Sequence, residues 1–171
     1  MISDQQLKLK IGILTNKLKA ELFDEVITES KSLLKKCYHQ IFYNMLSLSY
    51  QSLGKFDLSI KIMEEGLSKD PNNPFFLNNI GISHHKLNHF KEAETYLKKG
   101  LKIAPKYSVI LNNLGNLKKD LNLVDEAIQY YIKSIEIEEN VLETHLNLAN
   151  AYNTIGKFEE AKLHFRKVLQ I

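Results

Sequence analysis

The chain has one cysteine, Cys37, no tryptophan, three prolines and seven glycines among 171 residues. A single thiol excludes an internal disulfide framework and a thiolate zinc cluster. No apolar run approaches the ~18 residues that a membrane-spanning helix needs. The opening residues, MISDQQLKLK, lack the basic stretch, apolar core and small-residue cleavage site of a secretory signal. These absences lead to the expectation of a cytoplasmic protein with no membrane span. Arginine is nearly absent: of 23 basic residues only Arg166 is Arg, and the net charge is +3. Nucleic-acid recognition draws on bidentate arginine contacts, so no nucleic-acid partner is expected. What is present is ordinary for a globular chain, 44% hydrophobic and 25% charged. The scarcity of Pro and Gly points to helix.

The dominant signal is a 34-residue period. LNNIG at Leu77–Gly81 recurs as LNNLG at Leu111–Gly115, and HLNLA at His145–Ala149 and YNMLS at Tyr43–Ser47 keep the same phase. A second block stays in step: GKFDLS from Gly54, NHFKEA from Asn88, NLVDEA from Asn122 and GKFEEA from Gly156. Each unit reads as two helices. Leu77, Ile80, His84 and Leu87 fall on one helical face, and Phe90, Ala93, Leu97 and Leu101 on the next. Gly54, Gly156 and the Asn88–His89 pair break the helices, and Pro71 and Pro105 close two units. Ala93, Ala127 and Ala161 share one phase, and Gly81, Gly115 and Ala149 another; Ser47 and Ser59 fill both in an earlier unit. Small residues at these phases are expected where the two helices cross closely. One such pair cannot bury its apolar face alone, whereas stacked neighbours can.

These residues resemble the tetratricopeptide repeat (TPR) family over roughly residues 40–171. Tyr43, Leu46, Tyr50, Gly54, Met63 and Pro71 follow its pattern in one unit, and Leu77, Ile80, Gly81, Ala93, Leu97 and Pro105 in the next. Leu111, Leu114, Gly115, Ala127 and Tyr131 follow it in a third, and Leu148, Tyr152, Gly156, Ala161 and Phe165 in a fourth. Departures are Asn88 and Asn122 at the turn glycine and Glu139 at the closing proline. The resemblance implies an all-α fold, a right-handed superhelical solenoid of about five antiparallel helix pairs. The expected units are 40–73, 74–107, 108–141 and 142–171, behind a degenerate pair at 1–39 whose second stretch is one residue short of the period. The last unit lacks a polar closing helix. We therefore expect a fragment of a longer protein, or an end covered by a partner or by self-association through open solenoid ends.

Catalytic chemistry is scarce. His85 and His89 are four apart, but the expected turn lies between them, and no third ligand has helical spacing. His145 holds a phase occupied elsewhere by Tyr43, Leu77 and Leu111 and is read as a packing residue. Cys37 reads as an inert thiol, and Glu64–Glu65 and Glu159–Glu160 as solvated helix faces. Lys98, Lys99, Lys118 and Lys133 are expected to solvate outer faces. No catalytic residue, metal site or cofactor is expected.

The asparagines are more informative. The resemblance implies a concave groove lined by the first helix of each pair. Its inner phases hold Asn79, Asn113 and Asn147, with Asn116 and Asn150 one turn on and Asn78 and Asn112 beside them. A carboxamide offers an acceptor and two donors and so can clamp a peptide bond. The arrangement is similar to the asparagine ladder in the TPR array of O-linked N-acetylglucosamine transferase. Phe75 and Tyr107, at the unit junctions, can add aromatic contacts. A second account is compositional: Lys, Asn and Ile make up about a third of the chain, and duplication copies filler. Chaperone-binding members of the family grip a C-terminal carboxylate with Lys and Arg. The matching phases here hold Asn44, Leu48, Asn78, Asn79, Ile82 and Asn113, with Lys119 the one basic candidate, so that mode is set aside. The expected function is a non-catalytic scaffold that binds a protein or extended peptide in its groove. The alternatives are the substrate-recruiting N-terminal part of a larger glycosyltransferase or sulfotransferase, and a self-assembling scaffold.

Overall fold

Five tight turns set the architecture. In each, one residue takes the left-handed conformation: Glu21 (φ 58°), Gly54 (68°), Asn88 (60°), Asn122 (60°) and Gly156 (76°). The backbone around it closes in the same way each time. At the second turn the amide of Gly54 donates to the carbonyl of Gln51 at 2.9 Å, and that of Lys55 to Tyr50 at 2.8 Å. The corresponding pairs are Glu21–Leu18 with Leu22–Lys17, Asn88–His85 with His89–His84, Asn122–Lys119 with Leu123–Lys118, and Gly156–Asn153 with Lys157–Tyr152. This double bond satisfies the orphan carbonyls at a helix end and reverses the chain. Glycine and asparagine tolerate the conformation. Glu21 does so against its preference, and it occupies the turn that lies one residue short of the period.

The computed structural model describes residues 3–171; Met1 and Ile2, the start of the expected first pair, lie outside them. Among the described residues there are ten helices and no strand: α1 (Asp4–Lys19), α2 (Phe23–Leu34), α3 (Gln40–Ser52), α4 (Phe56–Lys69), α5 (Pro74–Lys86), α6 (Phe90–Ile103), α7 (Ser108–Asp120), α8 (Val124–Ile137), α9 (Leu142–Thr154) and α10 (Phe158–Val168). The fold is all-α, and ten helices fit about five pairs. None of these helices is long and apolar enough to cross a membrane. Contacts divide the chain into two units, Met1–His89 and Phe90–Ile171.

In the first unit, α2, α3, α4 and α5 pack in succession, and α1 lies against α2 and α3. Leu14, Val26, Leu33, Phe42 and Met45 form an apolar cluster, with Cys37 at its edge. The small phases of this unit hold more than space. Ser47 Oγ and Ser59 Oγ hydrogen-bond at 2.7 Å, Ser83 Oγ lies 3.0 Å from Ser59, and Gln51 Nε2 donates to Ser83 at 3.0 Å. This buried polar group ties α3, α4 and α5 together. Asn73 caps α5 by accepting from the Phe75 amide, and Pro74 stands where no amide is needed.

In the second unit, α6 to α10 pack in succession and α7 also meets α9. The close crossing is visible at Gly115, where an added Cβ would stand 2.4 Å from the Tyr131 ring. Lys118 corrects the expectation of a solvated lysine. It is 8% exposed and ion-paired to Glu94 at 3.0 Å and Glu126 at 3.1 Å. Burial works against its charge, but the bonds to the two glutamates outweigh that and hold the ammonium above its ordinary pKa. Lys118 lies in the last turn of α7, on a face met by both α6 and α8, which the sequence pattern alone did not indicate.

Two substitutions test these features in urea unfolding. Glu21→Gly removes the left-handed penalty and is expected to stabilise the chain by about 1 kcal/mol. Gly115→Ala drives a methyl group into the Tyr131 ring and is expected to cost about 1–3 kcal/mol.

Candidate functional site

The asparagines singled out by the repeat phase sit on α5, α7 and α9, and their environments differ. On α5, in the first unit, Asn78 and Asn79 are buried. Asn79 Nδ2 donates 2.9 Å to the carbonyl of Phe75, one turn back on its own helix. Its donor side therefore serves α5. Phe75 is half-buried and meets Phe76 edge-on at 5.9 Å.

In the second unit the helical period puts Val109, Asn112, Asn113 and Asn116 on one face of α7, and Glu143, Leu146, Asn147 and Asn150 on one face of α9. The two faces are joined by hydrogen bonds. Asn112 Nδ2 donates to Glu143 Oε1 at 3.2 Å, and Asn147 Nδ2 donates to Asn112 Oδ1 at 3.1 Å. Tyr131, fully buried beneath α7, donates its hydroxyl to Asn116 Oδ1 at 2.8 Å. Burial pushes that hydroxyl well above the usual tyrosine range, and the negative charges of Asp120 and Glu143 add to the effect. It is thus a fixed donor at any physiological pH. Asn113 is half-buried on the same face, and Asn150 is exposed.

The carboxamides are therefore partly committed. Asn112 uses both its ends within the protein. Among the described residues, Asn147 Oδ1, Asn116 Nδ2 and the whole carboxamide of Asn150 carry no hydrogen bond. Exposed Val109, Leu142 and Leu146 lie among them. The face offers donors and acceptors interleaved with apolar side chains, the composition of a surface that takes a polypeptide. Tyr107 stands half-buried just ahead of α7. Lys119 is exposed, 3.9 Å from the carboxylate of its neighbour Asp120.

The sequence reading missed Glu143 and Tyr131, which orient Asn112 and Asn116. Neither contact follows from periodicity, because each joins residues on different helices. It also missed a histidine pair. His145 is buried as expected of its phase, but it is not merely packed. Its Nε2 lies 2.7 Å from the Glu139 carbonyl and its Nδ1 lies 2.9 Å from His164 Nδ1. A carbonyl only accepts, so Nε2 of His145 carries the proton, Nδ1 accepts, and His164 donates from Nδ1. His164 is also near-parallel to the Tyr152 ring at 5.9 Å. Burial, then the nearness of His145 and Lys167, pulls His164 below its ordinary pKa. Elsewhere α5 ends at Lys86 and His89 follows its turn, so His85 and His89 do not share a helix. No group of three metal-ligating side chains occurs among the described residues.

The lowered His164 value makes stability pH-dependent. The unfolded chain binds this proton more readily, so the contribution is fully present above the ordinary value of 6.5 and is lost as pH falls below it. Urea midpoints should fall from pH 7.5 to pH 5, and His164→Gln should flatten that slope.

Models of the tetratricopeptide repeat match residues 42–73, 74–107 and 107–171, together well over half of the chain. No curated protein matches the sequence. Among solved structures the chain is similar to a thermophilic TPR protein of Thermus thermophilus, with 16% identity, 95% of this chain and 90% of that one covered, and a TM-score of 0.84. It is similar to PilF of Pseudomonas aeruginosa at 18% identity, with 95% and 75% covered and a TM-score of 0.80. MamA of Desulfovibrio magneticus RS-1 shares 18% identity, with 99% and 96% covered and a TM-score of 0.71. At these identities the likeness is one of fold.

Proposed function

We propose that this chain, which belongs to the tetratricopeptide repeat family, is a non-catalytic scaffold that binds an extended peptide or protein segment across its first helices. Its repeats are 40–73, 74–107, 108–141 and 142–171, behind a degenerate pair at 1–39. The observation that carries the reading is the face shared by α7 and α9. Asn113, Asn116, Asn147 and Asn150 line it at one-turn intervals, with Val109 and Leu146 between them.

A peptide laid along this face meets Asn147 Oδ1 as an acceptor for its amide and Asn116 Nδ2 as a donor to its carbonyl. Asn150 can supply either. Asn112 acts differently. Held by Glu143 and Asn147, it fixes the orientation of the Asn147 carboxamide, so that Oδ1 rather than Nδ2 is presented. The result is a ladder of the kind the family resemblance implies, with affinity drawn from the peptide backbone and modest selectivity from apolar contacts. Asn78 and Asn79 belong to this list by phase alone; both are buried on α5, in the other unit.

The test is capture of partners from lysate by the wild-type chain and by an Asn147→Ala, Asn150→Ala double variant. Circular dichroism would verify that helix content is retained. Loss of two hydrogen bonds to the ligand is expected to weaken capture by about tenfold or more. Retention of the same partners at the same strength would remove the face from consideration.

A further inference from the structure

Four of the residues that depart from the 34-residue frame of this chain meet in one place. Glu139 stands where Pro71 and Pro105 stand in earlier units, and His145 where Tyr43, Leu77 and Leu111 stand. His164 takes a phase held by Ile62, Tyr96 and Tyr130. Ile132 takes one held by Glu64, Lys98 and Arg166. His145 joins the Glu139 carbonyl to His164 through its two ring nitrogens. Glu139, His164 and Ile132 all line a cleft of about 520 Å³. Its remaining walls are Ile135, Glu136 and Ile137 of α8, with Leu148 of α9 at the floor. A sequence that departs from its own pattern repeatedly at one site marks a place where packing alone does not set the residues.

We infer that this cleft between α8 and α10 is a second binding site, one that takes a lysine or arginine side chain of a partner peptide. The floor and walls are apolar. Among the described lining residues the charged groups are carboxylates, Glu136 and Glu139. Among the described lining residues the other polar side chain is His164, whose Nδ1 hydrogen is committed to His145, which leaves Nε2 without a hydrogen, an acceptor. The polar side chains of the cleft thus accept and do not donate. A guest must supply donors at its tip and aliphatic surface behind them, which describes a lysine or arginine side chain and excludes an acidic or purely apolar one. Lys167 already sits 3.4 Å from Glu139, but that pair is solvent-exposed and so readily exchanged for an incoming cation. The cleft is also poorly suited to a metal between the histidines. Their ring centres are 5.2 Å apart with the facing nitrogens 2.9 Å apart, so the nitrogens lie on the line between the centres. That is an in-line N–H···N bond with no room for an ion. The inference is independent of the α7–α9 face, which carries different residues of α9.

The test uses the full chain and the peptide acetyl-Leu-Arg-Leu-amide, followed by methyl NMR. Titration should shift the Ile132 and Ile135 methyl signals. The same peptide with neutral citrulline in place of arginine should bind about tenfold more weakly, and a Glu136→Gln, Glu139→Gln double variant should lose a similar factor. Ile132→Lys, which places at this phase the residue type found at Lys98, should abolish binding with helix content unchanged. Both glutamates are exposed, so their variant reports on binding even if the isoleucine variant is destabilised. Absence of shifts at millimolar peptide, equal affinity for the citrulline peptide, or shifts confined to Val109 and Leu146 would each overturn the proposal.

Discussion

The near approach of the two helices in a pair is the constraint on which the rest depends. At Gly115 the Tyr131 ring occupies the space a methyl group would need. This approach buries Tyr131 completely, carries its hydroxyl to Asn116, and so fixes that carboxamide from behind. Gly115 and Asn116 are adjacent in sequence for that reason. Packing at the crossing and orientation of the Asn116 carboxamide are one geometric event. The same crossing in the first unit is made by Ser47 and Ser59, and there the space is filled by a hydrogen bond. A polar crossing costs desolvation, and it is tolerated because Ser83 and Gln51 complete the network.

Much of the fold was legible because it depends on local chemistry repeated many times. Gly54 and Gly156 announce a left-handed turn, and Asn88 and Asn122 take the same conformation because asparagine is the next most tolerant residue. Glu21 announces nothing; only its place near the period points to a turn, and the backbone adopts it because the helices on either side require it. Lys118 shows the limit from the other side. Helical phase says which way a side chain leaves its own helix. Whether that direction meets water or two glutamates depends on helices that are distant in sequence.

The candidate face was legible in position and not in chemistry. Phase groups Asn112, Asn113, Asn116, Asn147 and Asn150 onto two helix faces. It could not distinguish Asn112, whose two ends are both engaged, from Asn150, whose carboxamide is exposed. It also treated Asn79 as equivalent to Asn147, although one bonds its own helix and the other a neighbouring helix. A hydrogen bond is decided by angstroms, whereas a repeat frame assigns residues only to faces.

Repetition also hides information, because it draws attention to what recurs. In a repeat array the recurring residues are those every unit needs in order to stack, and stacking is common to all members of such a family. What distinguishes one array from another must lie where units differ. Here the unit at 142–171 differs from the three before it at particular buried positions. Its first helix carries a histidine at a buried apolar phase, and the loop before it carries a glutamate at the closing proline. Burying an imidazole at that phase is tolerated only because both of its nitrogens find partners, the Glu139 carbonyl and His164. The Glu139 carbonyl is the first partner, and His164 supplies the second. Three departures from the repeat, Glu139, His145 and His164, are thus joined in one hydrogen-bonded chain, which is a condition the frame alone does not impose.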